Sequence, residues 1–321
     1  MLPVLGIDVG KLECHAALLE GDHVARKSFA NIPKGFDQLT AWLDNRHITK
    51  VHACMEATGG YSESLALHLF DVGHTVSVVN PRRVKAFGQS ELSRTKTDRV
   101  DAALIARFCV AHQPAPWSPP PEELRRLQGL LRRLETLEQL HDQEGNRLEA
   151  PMLTQDVRNS INSLMATIER QVQEIEQQIR DLFRDHPDLR EKRDLLVTIP
   201  GIGEKTAARI LAELPDVAEL HDSRAAVAYA GLCPAQFQSG KGSRPSRLSK
   251  VGNARLRGYL YMPALVAMKH NAALRAMWNR LLERGKPKMV IVGALMRKLL
   301  ALAFAILRSK QPYCAALSAA H

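Results

Sequence analysis

The runs L-P-V-L-G-I-D-V-G (Leu2–Gly10), E-C-H-A-A-L-L (Glu13–Leu19) and V-A-R-K-S-F-A (Val24–Ala30) decide the fold of the first third of the chain. Each has the length and apolar content of a strand, and short polar breaks separate them. They predict three consecutive strands in an antiparallel meander, the first ending near Asp8. Outward from them, Gly35–Leu43 predicts a helix and Lys50–Met55 a strand ending at Glu56. Thr58-Gly59-Gly60 breaks that strand, Ser62–Phe70 reads as helix, and His74–Asn80 is a fifth strand closed by Pro81. Asp98–Ala111 is again helical. A meander followed by alternating helices and strands predicts an α/β domain over residues 1–112.

Q-P-A-P-W-S-P-P-P at Gln113–Pro121 is a proline-rich break and an expected linker. Beyond it the apolar period changes. Leu124, Leu127, Leu131 and Leu134 recur at helical spacing, as do Val157, Ile161, Leu164, Ile168, Val172, Ile175, Ile179 and Leu182. Residues 122–192 therefore predict a helical hairpin or coiled coil, broken near Gly145 and Pro151. Two readings stand open for it: a bundle core within one chain, or a dimerisation surface and spacer. Residues 193–321 are expected to be mainly helical. Leu195–Leu214 forms a helix–turn–helix pair around Pro200-Gly201-Ile202-Gly203, Gln236–Asn253 a loop, and Asn253–Lys269 and Ala272–Leu282 two helices.

The 321 residues carry a net charge of +10, and its placement matters more than its size. Residues 236–321 hold sixteen Lys/Arg and one acid, Glu283, whereas residues 1–235 carry a net negative charge. A localised positive field attracts a polyanion, because each neutralised phosphate releases counterions. The basic residues interleave with Gly, Ser and Asn rather than following one amphipathic stripe, which favours nucleic acid over a membrane surface. The five cysteines are scattered without a C-x-x-C pair, so neither a zinc knuckle nor a disulfide framework is expected. Asp8 interrupts the only apolar start, so no secretory leader is expected. Met289–Leu307 is apolar enough for a membrane span, but Arg297 and Lys298 at its centre make insertion costly and predict a buried helix. A reducing cytoplasm is the expected location.

Three constellations carry chemistry. Asp8 and Glu56 end strands beside glycines, and Asp98 and Asp101, three apart on a helix, face one side. Carboxylates gathered at sheet ends suit Mg²⁺ or Mn²⁺, which take oxygen ligands. Taken singly, each acid reads more simply as a turn or cap residue; the four together in one domain favour a metal site. Gly201 and Gly203, followed by Lys205 and Thr206, match a helix-hairpin-helix turn whose backbone N–H groups meet phosphate. Ser239, in Q-S-G-K-G-S-R, sits among Lys241, Arg244, Arg247, Lys250, Arg255 and Arg257. With no His/Asp partner nearby, the residues alone read as a phosphate-binding loop.

At these residues the chain resembles a known family. I-D-V-G-K (Ile7–Lys11), M-E-A-T-G-G-Y (Met55–Tyr61) and K-T-D-R-V-D-A (Lys96–Ala102) look like the N-terminal domain of the insertion-sequence 110 family of transposases, the Piv/MooV-like DEDD recombinases. I-P-G-I-G (Ile199–Gly203), Y-A-G-L-C-P (Tyr229–Pro234), Q-S-G (Gln238–Gly240) and R-L-S-K-V-G-N-A-R-L-R (Arg247–Arg257) look like its C-terminal domain. The resemblance runs through nearly the whole chain; only Cys233, where the family often has Ala or Thr, departs from it.

The resemblance implies an RNase H-like fold of the RuvC type for the first domain. It implies a tetrad binding Mg²⁺ or Mn²⁺ at Asp8, Glu56, Asp98 and Asp101, and a catalytic serine at Ser239. It further implies recombination of double-stranded donor and target DNA through a Holliday-like junction, guided by a structured bridge RNA. The wide separation of tetrad and serine in sequence predicts a site shared between chains of a dimer or tetramer. A bacterial protein acting on the nucleoid is expected. Three rivals are weighed: a resolvase-like endonuclease that needs no serine, an actin-like ATPase suggested by Gly6–Gly10 but lacking the second Asp-x-Gly loop and adenosine site it needs, and a nucleic-acid-binding protein without catalysis.

Overall fold

The computed structural model describes residues 2–21, 23–57, 59–91, 98–235, 238–239, 242–243 and 247–314. For 98–100, 235, 238–239, 242–243 and 247 only the backbone is described. Two compact units divide at Pro120/Pro121.

In the first unit, β1 (Val4–Val9), β2 (Glu13–Glu20) and β3 (His23–Ala30) form the expected antiparallel meander. Helix α1 (Pro33–Asp44), β4 (His52–Glu56), α2 (Gly60–Asp71), β5 (Thr75–Val79), α3 (Pro81–Ser90) and α4 (Asp98–His112) follow. The sheet order is β3-β2-β1-β4-β5, with β4 and β5 parallel to β1. Strand side chains alternate between faces, so the sheet has two different neighbours. Leu5, Ile7, Ala53, Met55 and Val76 pack with Phe36, Leu39 and Leu43 of α1 and Leu65 and Leu69 of α2. Val4, Cys54 and Val79 face the other way, onto Ile105, Phe108 and Cys109 of α4. Pro81 does not merely close β5. The Asn80 side chain accepts from Arg82 N–H, and the proline occupies the first turn, so together they start α3. The proline-rich segment is strapped along β5 rather than free. Ser77 Oγ donates to Pro114 and Ala115 carbonyls at 3.0 and 2.9 Å, and the Trp117 ring meets Phe70 edge-on.

The second unit opens with two long antiparallel helices, α5 (Glu122–Leu148) and α6 (Gln155–Asp185), then α7 (Pro187–Val197), α8 (Glu204–Glu213) and α9 (Ser223–Tyr229). A small β-hairpin of β6 (Pro234–Ala235), β7 (Gln238–Ser239), β8 (Gly242–Ser243) and β9 (Arg247–Leu248) stands where a loop was expected. Helices α10 (Ala254–Tyr259), α11 (Tyr261–His270), α12 (Ala272–Glu283) and α13 (Lys288–Ser309) complete it. The expected helix over 253–269 is two helices, because Pro263 has no N–H to carry the first across Leu260. Leu127, Leu131 and Leu134 of α5 share one core with Leu196, Leu211, Leu256 and the buried face of α13, so the helical hairpin belongs to the unit that follows it. Helix α13 is long and apolar enough to cross a membrane, but Leu295, Leu299, Leu300 and Ala303 lie fully buried in that core.

Candidate active site and nucleic-acid contacts

The acidic site is assembled by sheet register. Parallel pairing sets Gly6 beside Cys54 and Ile7 beside Met55. One residue on, Asp8 and Glu56 come side by side at the ends of neighbouring strands, roughly 5 Å apart along the ladder. Both fall on the face that carries Val4 and Cys54, beneath α4. A side chain at Gly6 is impossible there, since its Cβ would fall on the Ala102 carbonyl and the Ala106 nitrogen of α4. That close approach fixes the helix direction. Val4 meets the stretch around Phe108, Gly6 meets Ala102 and Ala106, and the next same-face residue, Asp8, lies toward the first turn of α4. That turn carries Asp98 and, one helical turn before Ile105, half-buried Asp101. The sheet and helix thus direct all four acidic positions to one end of the α4 interface. Burial is the main reason the Cys14 thiol is pushed up to about 12, and the charges of Asp8 and Glu13 add to it. Cys54 is held well above its ordinary value, first by donating to Cys109 and then by burial, with Glu56 adding charge. The Asp98 side chain lies outside the described residues, and among those described no three His, Cys, Asp or Glu side chains close into a ready ion cage.

One neighbour escaped the sequence reading. His15 pairs with Asp8 across β1 and β2, so it shares the acidic face. Its Nδ1 lies 2.8 Å from Ser28 Oγ on β3, and its Nε2 lies 3.8 Å from Glu13. Only strand register, which spacing does not reveal, could have found it.

In the second unit Ser239 ends β7, paired to Gly242, with Gly240 and Lys241 between them. Ser239 and Gly242 are the last pair of that antiparallel ladder, so Ser239 stands at the end of the described strand. The β6–β9 pair forms the base of the stalk. Ser249 N–H donates to Cys233 O at 2.9 Å and Lys250 N–H to Gly231 O at 3.2 Å, extending that base toward α9. Asn253 clamps it. Its Oδ1 caps α10 by accepting from Arg255 and Leu256 N–H, its Nδ2 donates to Glu213 at 2.7 Å, and its backbone N–H donates to Tyr229 O at 2.6 Å. Arg257 donates to Ala230 O at 3.0 Å, which ties this arginine to the stalk. Lys250 and Arg255 are exposed. Gly240, Lys241 and Arg244, and the side chains of Ser239 and Arg247, lie outside the described residues.

The Gly-Ile-Gly turn lies between α7 and α8. Gly201 has φ +106°, and a Cβ there would meet Ala267 of α11, so this glycine serves helix packing. Gly203 is open to solvent just before α8, with Thr206 half-buried one turn on. Lys205 is ion-paired with Glu138 of α5, which Arg209 also reaches at 3.1 Å.

Two family models match. One described as a transposase, the DEDD domain of the IS110 type, matches residues 5–156, and one described as the transposase IS116/IS110/IS902 family matches residues 193–279. The "Pilin gene-inverting protein" of Moraxella bovis is 33% identical over 313 residues, which are 96% of this chain and 97% of that protein. The "Transposase for insertion sequence element IS1328" of Yersinia enterocolitica is 27% identical, with 94% of this chain and 96% of that protein covered. Among solved structures, T. thermophilus RuvC in complex with Holliday junction substrate overlaps 36% of this chain and 100% of its own, at 13% identity and a TM-score of 0.29. A relative one-third identical along almost its full length, with both family models in the same order, establishes that the chain belongs to the IS110 family of transposases.

Proposed function

We propose that this transposase exchanges strands of donor and target DNA with two devices, a carboxylate-held divalent metal and a serine nucleophile. The observation that carries the proposal is the side-by-side placement of Asp8 and Glu56 under the first turn of α4, set by strand register and by the Gly6 contact. The donor set fits a hard ion: carboxylates on one face, with Asp98 and Asp101 on the overlying helix turn. Like charges hold these groups apart until a cation offsets their repulsion. Mg²⁺ or Mn²⁺, when bound, supplies Lewis-acid polarisation of the phosphoryl group and offsets charge on the leaving oxygen.

The chain's own residues do the rest. Asp8, Glu56, Asp98 and Asp101 fix where the scissile phosphate sits. Ser239 Oγ attacks phosphorus, its O–H proton passes to solvent, and the P–O bond to one sugar breaks; that sugar oxygen takes a proton from solvent, leaving the other strand end joined to the protein through phosphoserine. Attack on that phosphoserine by a sugar hydroxyl of the partner strand restores both the serine and the DNA. The hairpin lets Ser239 reach a phosphate that no buried strand could approach, and Lys250 and Arg255 beside its base offer charge to the phosphoryl oxygens. Gly203 and Thr206 are read as backbone-phosphate contacts, while Gly201 and Lys205 hold the turn that presents them. The family reading adds a structured bridge RNA that pairs with donor and target, and an RNase H-like fold of RuvC type, which the three antiparallel then two parallel strands support. The site is read as shared between chains of a dimer or tetramer, in the bacterial cytoplasm at the nucleoid.

Mixing an Asp8→Ala chain with a Ser239→Ala chain tests this. Recovered strand transfer, where each alone is inactive, is expected; no recovery contradicts a shared site. A second reading, a resolvase-like endonuclease without serine chemistry, is favoured by one observation: the acidic site is built wholly within the first unit. Normal junction cleavage by Ser239→Ala would establish it instead.

A further inference from the structure

The register that pairs the acids also extends away from them. Asp8 stands beside His15, and His15 beside Ser28, in one row across β1, β2 and β3. The next same-face row runs Gly6, Ala17, Arg26. Helix α4 covers β1, β2 and β4, with Ala17 packed under Ala102 and Ala103. On β3, Val24, Arg26, Ser28 and Ala30 of this face are all exposed. His15, Ala16, Arg26, Lys27 and Ser28 line a shallow depression of about 270 Å³. Among the described residues neither Arg26 nor Lys27 has a carboxylate partner, and β3 itself holds no acid. Beyond Asp8 itself, the nearest described strand acid of this face is Glu13, which lies beside His15, two rows from Arg26 and so roughly 13 Å along the strand.

The geometry points to a second nucleic-acid contact outside the basic C-terminal third. The uncovered face of β3, with His15, Arg26 and Ser28, together with Lys27, which alternates to the other face of this edge strand but lines the same depression, binds backbone phosphates of the DNA strand whose neighbouring phosphate lies at Asp8. This rests on the catalytic reading of the acids. Arg26 is two strands over and one row along from Asp8, roughly 12 Å, a span that the next phosphates of the same strand can bridge. Among the described residues this guanidinium and ammonium have no carboxylate partner, so meeting the phosphates breaks no ion pair, and the hydrogen-bonded Ser28–His15 pair can still offer a further donor. A flanking basic strip also answers an electrostatic difficulty. Four carboxylates repel a phosphodiester, and positive charge beside them recovers attraction without occupying the reacting position. The strip commits to DNA, because the cleaved strand must pass the acids.

The test uses the full-length chain with EDTA present, so that no catalysis is needed. Binding to duplex DNA and to a folded RNA is followed across a salt series. The Arg26→Ala/Lys27→Ala chain is expected to lower the slope of log K against log salt for DNA by about 1 to 2, one contact being worth about 0.9. RNA binding and thermal melting should stay unchanged. An unchanged DNA slope, or a loss confined to RNA, overturns the inference. A Ser28→Cys chain carrying a tethered iron chelate, which cuts the nearest backbone, is expected to cut DNA within a few nucleotides of the natural cleavage position. Scattered cutting overturns the placement. Failure of the catalytic reading shows separately, as strand cleavage that survives Asp8→Asn.

Discussion

The acidic site and the serine hairpin are built by opposite means. Asp8 and Glu56 are fixed by five-stranded sheet register and by a helix that touches the backbone of Gly6, so no hinge separates them. Ser239 stands on two-residue strands, braced among the described residues at the base by Asn253 and Arg257. A rigid frame suits groups that must hold one ion in fixed geometry. A braced stalk suits the nucleophile proposed for it, which would have to reach into a duplex. If the contrast is sound, damage to the first region will appear mainly as lost stability and lost metal, and damage to the second as lost turnover.

The largest effect should come from Gly6→Val. Its side chain would collide with the backbone of α4, so the helix must move or the unit must open. Overpacking of this kind costs about 1 to 3 kcal/mol or more, read as a fall in melting temperature together with loss of strand transfer. Asn253→Ala comes next. It removes a cap worth about 0.5 to 2 kcal/mol and leaves Glu213 without its donor. Strand transfer should fall at least about tenfold, one decade being about 1.4 kcal/mol, and proteolysis within residues 235–250 should quicken while metal binding stays intact. Loss of metal binding would erase the contrast.

The smallest effect concerns pH. Burial holds His74 below its ordinary 6.5, and neither ring nitrogen has a partner among the described residues. Burial likewise lowers His52. The folded state favours their neutral forms, while the unfolded chain takes up protons more readily. Their contribution is complete above pH 6.5 and is lost as pH falls through their lower folded values. The first unit should therefore melt a few degrees lower at pH 5.5 than at pH 7.5. His74→Phe should flatten that slope and raise the melting point, because it removes unpaired buried nitrogens. A slope unchanged in that variant would place the acid sensitivity elsewhere.

The sheet was legible because its strands alternate and its breaks carry glycine. The four acids were legible as candidates because Asp8 and Glu56 lie at strand ends and Asp98 and Asp101 in the first turn of a helix. What joins them was not: that Asp8 faces Glu56 rather than the opposite layer follows from register, and a one-residue slip would reverse it. The same limit hid His15 and Ser28. Helix α3 was missed because Asn80-Pro81 reads as a stop when taken from the strand side, although the pair is equally a helix start. The hairpin around Ser239 was missed because two-residue strands leave no alternation to detect. Gly201 illustrates a different limit. Its positive φ and its contact with Ala267 are long-range facts, and a sequence motif cannot separate a glycine that admits a helix from one that admits a phosphate.

The central claim is that acids spread from residue 8 to residue 101 converge on one divalent ion. Titration of the purified chain with Mn²⁺, followed by calorimetry and by the ion's electron paramagnetic resonance, tests it without any turnover. The account predicts saturable binding that raises the melting temperature of the first unit, disappears in Asp8→Asn and in Glu56→Gln, and persists in Ser239→Ala. Equal Mn²⁺ binding by the wild-type, Asp8→Asn and Glu56→Gln chains would contradict it.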